Sequence, residues 1–175
     1  HPILIRGAEY NGSVIDVLIS GGVVIPAPEV KSADAVKTID ARGLVATPGP
    51  LVDLHVHFRD PGLTEKEDFL TGARAAAAGG ITVVACEPNT RPVIDTPEQV
   101  TTFRERVIAQ RCPVGVYTKA AITDGQAGHT LTDFPALAAA GGVGFSDDGE
   151  PVLDGELLMH AFRQCTQTDG SLCIT

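Results

Sequence analysis

No stretch of this sequence is basic. Its 13 Lys and Arg are outnumbered by 22 Asp and Glu, which leaves a net charge of −9. A chain without a basic stripe lacks the electrostatic footprint of a nucleic-acid binder. Long hydrophobic runs are missing as well. None reaches the roughly 18 residues that a membrane span needs, so no membrane partner is expected. Cysteine is scarce and unpatterned: Cys86, Cys112, Cys165 and Cys173 form no CxxC pair. They read as small buried residues of a reducing compartment, which points to the cytoplasm and away from a disulfide framework. The opening HPILIRGAEYNGS has no positive region ahead of an apolar core, so no secretory signal is expected. What remains is ordinary globular chemistry. The 175 residues are 43% hydrophobic and 20% charged, enough for a real core.

Two regimes divide the chain. Residues 1–47 hold short β-rich pieces between turn residues: ILIR, VIDVLI, GGVVI after Gly21–Gly22, VKTIDA and LVAT. They predict a small β domain of hairpins, with a polar, proline-containing loop over 26–34. From residue 48 to 175, apolar strands alternate with helices, the signature of parallel βα units. Strands are expected at 51–57, 81–86, 113–118, 142–146 and in the closing SLCIT. Helices are expected near 65–78, from 96, near 132–140 and near 153–168. The first carries a capping box, Thr64-x-x-Glu67, and Gly79–Gly80 ends it. The second opens on Thr96, Pro97 and Gln99 and turns Val100, Phe103 and Val107 to one face. Five strands and four helices suit either an open doubly wound sheet or the first part of an eight-fold barrel, which typically needs ~250 residues.

The stretch VDLHVHFRDPG, residues 52–62, bears on that choice. Side chains alternate along a strand, so Asp53, His55, His57 and Arg59 share a face opposite Val52, Leu54, Val56 and Phe58. His55 and His57 lie ~6.6 Å apart along an ideal strand. Two imidazoles at that separation can converge on one zinc ion. A bare His-x-His is more often two satisfied histidines. Here an unbroken polar face at the end of a first barrel-type strand favours metal ligation. GFSDDGEP, residues 144–151, places an acidic pair after the fourth strand of the array, where a carboxylate could reach the same metal. Taken alone, that motif is better explained by ordinary Asx-turn chemistry. Asn89, in EPNTRP, offers a donor and an acceptor to a ligand amide, or is simply a turn residue.

Taken together, DLHVHFRDPG, AGGITVVACEPNT and GFSDDGEPV resemble the signature segments of the dihydroorotase family. The resemblance is to the bacterial type related to the dihydroorotase domain of multifunctional pyrimidine-synthesis proteins, among the metal-dependent amidohydrolases. It implies the fold: a small β domain followed by strands 1–5 of a (β/α)8 barrel. It implies the activity: reversible, zinc-dependent cyclisation of N-carbamoyl-L-aspartate to L-dihydroorotate in pyrimidine biosynthesis. His55, His57 and Asp148 match metal ligands, and His57, Arg59 and Asn89 match substrate-binding positions. The implied cofactor is zinc, two ions per site. The implied partners are the small-molecule substrate, the remainder of the barrel, a second copy in a homodimer, and aspartate transcarbamoylase. Arg59 then has a physical reason, because guanidinium binds a carboxylate such as that of dihydroorotate through two parallel hydrogen bonds.

The sequence departs from the family pattern in three places. Glu87 stands where an apolar residue, commonly Met, is usual, and puts a carboxylate near an anionic substrate. PGPLVDLHVH has one residue more than the usual spacing, so a bulge is expected in the turn before strand one. The later segments, with further histidine ligands and the catalytic aspartate, lie outside residues 1–175. No catalytic general base is therefore expected in this chain, and residues 1–175 alone are expected to be inactive. His129 and His160 match none of those segments and read as ordinary residues. Two other functions are the alternatives. A hydantoinase or allantoinase would be expected to use a carboxylated lysine near the fourth strand. Residues 144–148 hold none, and the nearest upstream is Lys119. A non-catalytic dihydroorotase-like subunit would lack ligands in its later half.

Overall fold

The computed structural model describes residues 1–26, 37–47, 49–168 and 172–173, which form two compact units, His1–Gly49 and Pro50–Thr175. Most of the loop expected over 26–34 lies outside the described residues.

The first unit is one four-stranded sheet. Strands β1 (Ile3–Tyr10), β2 (Ser13–Ser20), β3 (Val23–Pro26) and β4 (Lys37–Asp40) lie in the order β3-β2-β1-β4. The turns Asn11–Gly12 and Gly21–Gly22 close two antiparallel hairpins with positive φ at each of these residues, as two-residue hairpin loops require. The hairpin expectation stops there. β4 pairs parallel with β1, at the far edge of the sheet from β3. The expected strand LVAT is reduced to a single bridge between Val45 and Glu9.

The second unit is built from parallel strands in chain order. β5 (Val52–Val56), β6 (Val83–Cys86) and β7 (Gly115–Thr118) form one sheet; β8 (Gly144–Phe145) and β9 (Leu172–Cys173) form another. A parallel bridge between Ala120 and Phe145 joins the two. Each strand thus neighbours the next in sequence. A doubly wound sheet reverses its order at a switch point; a barrel does not. The order therefore decides for the barrel-type array. Helices α1 (Phe69–Ala78), α2 (Pro97–Gln110), α3 (Phe134–Ala140) and α4 (Gly155–Cys165) connect successive strands and pack each on the next.

Local chemistry sets these elements. Thr96 and Gln99 form the expected reciprocal box at the start of α2, with Pro97 in the first turn. α1 starts later than expected. Asp68, not Thr64, caps it, and the reciprocal partner is Thr71. Glu67 instead accepts a hydrogen bond from the Thr71 hydroxyl. The shared core lies between strands and helices. Phe69 and Phe103 meet edge to face at 4.7 Å, and Phe134 stacks on Phe145 at 3.9 Å. α1 approaches so closely that a Cβ on Gly72 would lie 2.5 Å from the Phe58 ring. Cys86 sits in this core, and burial pushes its thiol up to about 12, so it is an inert packing residue.

Candidate metal centre

The strand ends create the site. β5 is irregular between Asp53 and Val56, where three residues of β5 span two of β6. This register shift is a bulge inside the strand. The Asp53 carboxylate accepts the His55 backbone N–H at 3.0 Å, which stabilises the bulge. Strict alternation fails here, and Val52 and Leu54 remain half exposed. Even so, the His55 and His57 rings come together, 5.0 Å apart and nearly perpendicular.

After His57 the chain turns sharply. Arg59 adopts a left-handed backbone, φ 52°, and its carbonyl accepts the Leu63 N–H at 2.9 Å. Asp60 is buried and paired with Arg106 of α2. Gly62 cannot be another residue, because a Cβ there would lie 1.9 Å from the Arg91 carbonyl oxygen. The Arg-Asp-Pro-Gly run thus docks the loop after β5 against the loop after β6. Among the described residues the Arg59 guanidinium has no ion-pair or hydrogen-bond partner, and its side chain is half-buried.

The acidic pair after β8 divides its tasks. The Asp147 carboxylate is buried and accepts the backbone N–H groups of Ile122 (2.8 Å) and Thr123 (3.1 Å) and the Thr123 hydroxyl. Burial raises its pKa, against the lowering effect of those hydrogen bonds. It ties the loop after β8 to the loop after β7. Asp148 has a left-handed backbone, φ 52°, a conformation Asp tolerates. One of its carboxylate oxygens lies 3.5 Å from His55 Nε2 and 3.8 Å from His57 Nε2.

Each ring's other nitrogen is held. His55 Nδ1 lies 2.9 Å from the Glu87 carboxylate, and His57 Nδ1 lies 3.2 Å from the Asn89 side-chain oxygen. Carboxylate and amide oxygens only accept, so the tautomer protonated at Nδ1 suits both contacts and is the one that turns an Nε2 lone pair toward Asp148. The Asn89 NH2 donates to the second Asp148 oxygen. In this structure the Asn89 amide is thus engaged by two of the candidate ligands.

The donor set suits a divalent cation. Ligand atoms of His55, His57 and Asp148 all lie within 4.8 Å of one another. Two atoms on a tetrahedral zinc with bonds of ~2.0–2.1 Å are about 3.3 Å apart, close to the separations seen here. With the proton of each ring on Nδ1, two imidazole lone pairs and a carboxylate oxygen face one another, an arrangement that a cation between them would stabilise. The outward nitrogen of each histidine bonded to an oxygen acceptor is the usual support of a metal-binding imidazole. Among the described residues no other group of His, Cys, Asp and Glu converges this way; His129 and His160 are exposed elsewhere.

Residues 43–173 match the sequence profile of the Dihydro-orotase-like family. The chain belongs to that family. Its curated relatives include the dihydroorotase of Clostridium acetobutylicum, 43% identical over 90% of this chain and 37% of the relative. Another is the dihydroorotase of Geobacter sp. strain M21, 47% identical over 90% of this chain and 36% of the relative. The chain thus spans little more than a third of the length of these relatives. Among solved structures it resembles the L-hydantoinase (dihydropyrimidinase) of Arthrobacter aurescens, with a TM-score of 0.74 at 24% identity, over 98% of this chain and 39% of that one. The likeness is one of fold: a small sheet and, as a separate unit, a parallel βα array consistent with the first part of a barrel.

Within the Dihydro-orotase-like family pattern, Glu87 is the residue that sequence reading left unsettled. Its carboxylate does not face an open cleft. It is fully buried and bonded to Lys119, itself 2% exposed. Reading Lys119 only as the lysine nearest to the fourth strand missed this pairing. The signal was present in the register. Cys86 and Thr118 are paired across parallel strands, so Glu87 and Lys119, each one residue further, emerge side by side. Once that register is known, a carboxylate and an ammonium at the same level of adjacent parallel strands are candidates for an ion pair.

Proposed function

We propose that the protein containing this chain is a zinc-dependent dihydroorotase, reversibly closing N-carbamoyl-L-aspartate to L-dihydroorotate and water in pyrimidine biosynthesis. The observation that carries this reading is the convergence of His55, His57 and Asp148, with Arg59, two residues after His57, having no partner among the described residues. In this reading the two Nε2 atoms and the Asp148 carboxylate hold the metal. Zinc is the proposed ion, two per site, and the chemistry such an ion supplies is Lewis-acid polarisation of an amide carbonyl.

The chain's own groups do the rest. In this reading Glu87 and Asn89, in contact with the two Nδ1 atoms, hold the protons there and leave the Nε2 lone pairs of His55 and His57 to the metal. Arg59 takes the substrate carboxylate in its guanidinium fork, and Asn89 and His57 border the substrate's polar edge. The left-handed backbone at Arg59 is an uncommon state for a bulky residue, costing about 1–2 kcal/mol. Such strain is characteristic of positions fixed for function. The general base belongs to the part of the protein beyond residue 175. A second copy of the protein, or an aspartate transcarbamoylase, is the proposed macromolecular partner.

The carboxylate pairing separates this reading from that of a hydantoinase or allantoinase. The candidate lysine nearest to the fourth strand, Lys119, is bonded to Glu87. Full-length protein should hydrolyse dihydroorotate with a kcat/KM at least about 30-fold above that for hydantoin or allantoin, the low end of what a charge-assisted contact contributes. Preference for a ring without a carboxylate would reject dihydroorotase in favour of the other cyclic amidohydrolases.

A further inference from the structure

We propose that Glu87 and Lys119 form a built-in positioning device for the metal ligand His55. The inference rests on the reading of His55 as a ligand and extends it to two residues that the family pattern leaves unassigned. Three contacts run in a line. Lys119 Nζ bonds one Glu87 carboxylate oxygen, Glu87 reaches His55 Nδ1 at 2.9 Å, and His55 Nε2 faces Asp148 at 3.5 Å. Each link has one physical task.

The Glu87 carboxylate accepts the Nδ1 proton and so selects the one tautomer of His55 whose lone pair points at the Asp148 oxygen. His55 needs such a hold more than His57. Its side chain is 59% exposed, against 30% for His57, so packing alone does not fix its ring. Lys119 supplies the counter-charge that lets a carboxylate sit at 0% exposure. The arrangement is also held from the backbone. Lys119 N–H donates to the Cys86 carbonyl, and Glu87 N–H donates to the Val56 carbonyl, both at 2.9 Å. The three strand ends that carry His57, Glu87 and Lys119 are therefore locked at one level.

Glu87 is not itself a member of the converging donor set. Its second carboxylate oxygen is buried without a hydrogen-bond partner among the described residues, while its first is shared between His55 and Lys119. A carboxylate that bonds the far nitrogen of a liganding imidazole orients the ring and raises its basicity. Loss of such a partner typically weakens metal binding about 10- to 100-fold. Glu87 and Lys119 are thus positioning residues.

The test uses the full-length protein and zinc alone. In the wild-type protein freed of metal, long-range ¹H–¹⁵N NMR of the imidazoles should show His55 protonated at Nδ1 and bare at Nε2. A His55 protonated at Nε2 would overturn the proposal without need of any variant. Glu87→Met combined with Lys119→Met removes both charges together, so the core keeps its balance. This variant should bind zinc about 10- to 100-fold more weakly, measured by competition with a chelating dye, and its His55 should lose the Nδ1 tautomer preference. Wild-type zinc affinity in the double variant would overturn the positioning role. Failure of the metal reading looks different: His55→Ala with His57→Ala would then leave zinc binding intact, whatever the Glu87 variants do.

Discussion

Arg59→Lys is expected to cost about 2–5 kcal/mol of transition-state binding, a roughly 30- to 4,000-fold fall in kcat/KM for dihydroorotate. The guanidinium is the group that decides the size of the loss. It is planar and presents two parallel N–H bonds that match a carboxylate; an ammonium is a point charge and restores only part of that contact. The site favours a full loss because no protein carboxylate competes for Arg59 among the described residues. The backbone adds to this. Asp60 is anchored to Arg106 and Gly62 fits only because it lacks a Cβ, so the loop cannot shift a lysine into the missing position. Wild-type kcat/KM in the Arg59→Lys enzyme would show that the arginine is a surface residue.

Glu87→Met alone should destabilise the protein by about 3–5 kcal/mol, more than the double replacement with Lys119→Met. The single change leaves an ammonium group on a residue 2% exposed without the carboxylate that balanced it. A buried charge without a partner is far more costly than the loss of one hydrogen bond. Removing both charges exchanges a buried ion pair for apolar contacts of similar volume, which is commonly neutral or favourable. Thermal unfolding of the two full-length variants gives the comparison. Equal unfolding temperatures for the single and double variants would show that Lys119 finds another partner, and that the pair is not the closed unit described here.

Local chemistry is what the sequence made legible. The start of α2 follows from four residues, Thr96 to Gln99, that bond one another, so nothing distant had to be known. α1 shows the limit of the same logic. Thr64-x-x-Glu67 and Asp68-x-x-Thr71 are both plausible boxes a turn apart, and the core contacts of Phe69 and Ala73 favour the later one. Pairing partners were harder. The pieces of residues 1–47 announce strands, but nothing in them tells that β4 crosses to lie parallel beside β1. The pair His55 and His57 was visible as spacing. Their meeting with Asp148 depends on a bulge in β5 and a left-handed residue after β8, which spacing cannot encode. Glu87 looked like a discordant charge because its partner is 32 residues away. Only the register of two parallel strands makes them neighbours.

The central claim is that His55, His57 and Asp148 hold a metal ion. Metal analysis of the purified full-length protein, wild type beside His55→Ala combined with His57→Ala, tests it directly. The wild type should retain zinc through desalting. The double variant should lose it, with an affinity loss beyond the roughly 10- to 100-fold that follows removal of a supporting partner alone, while circular dichroism shows an unchanged fold. Zinc content equal to wild type in a folded double variant would contradict the assignment.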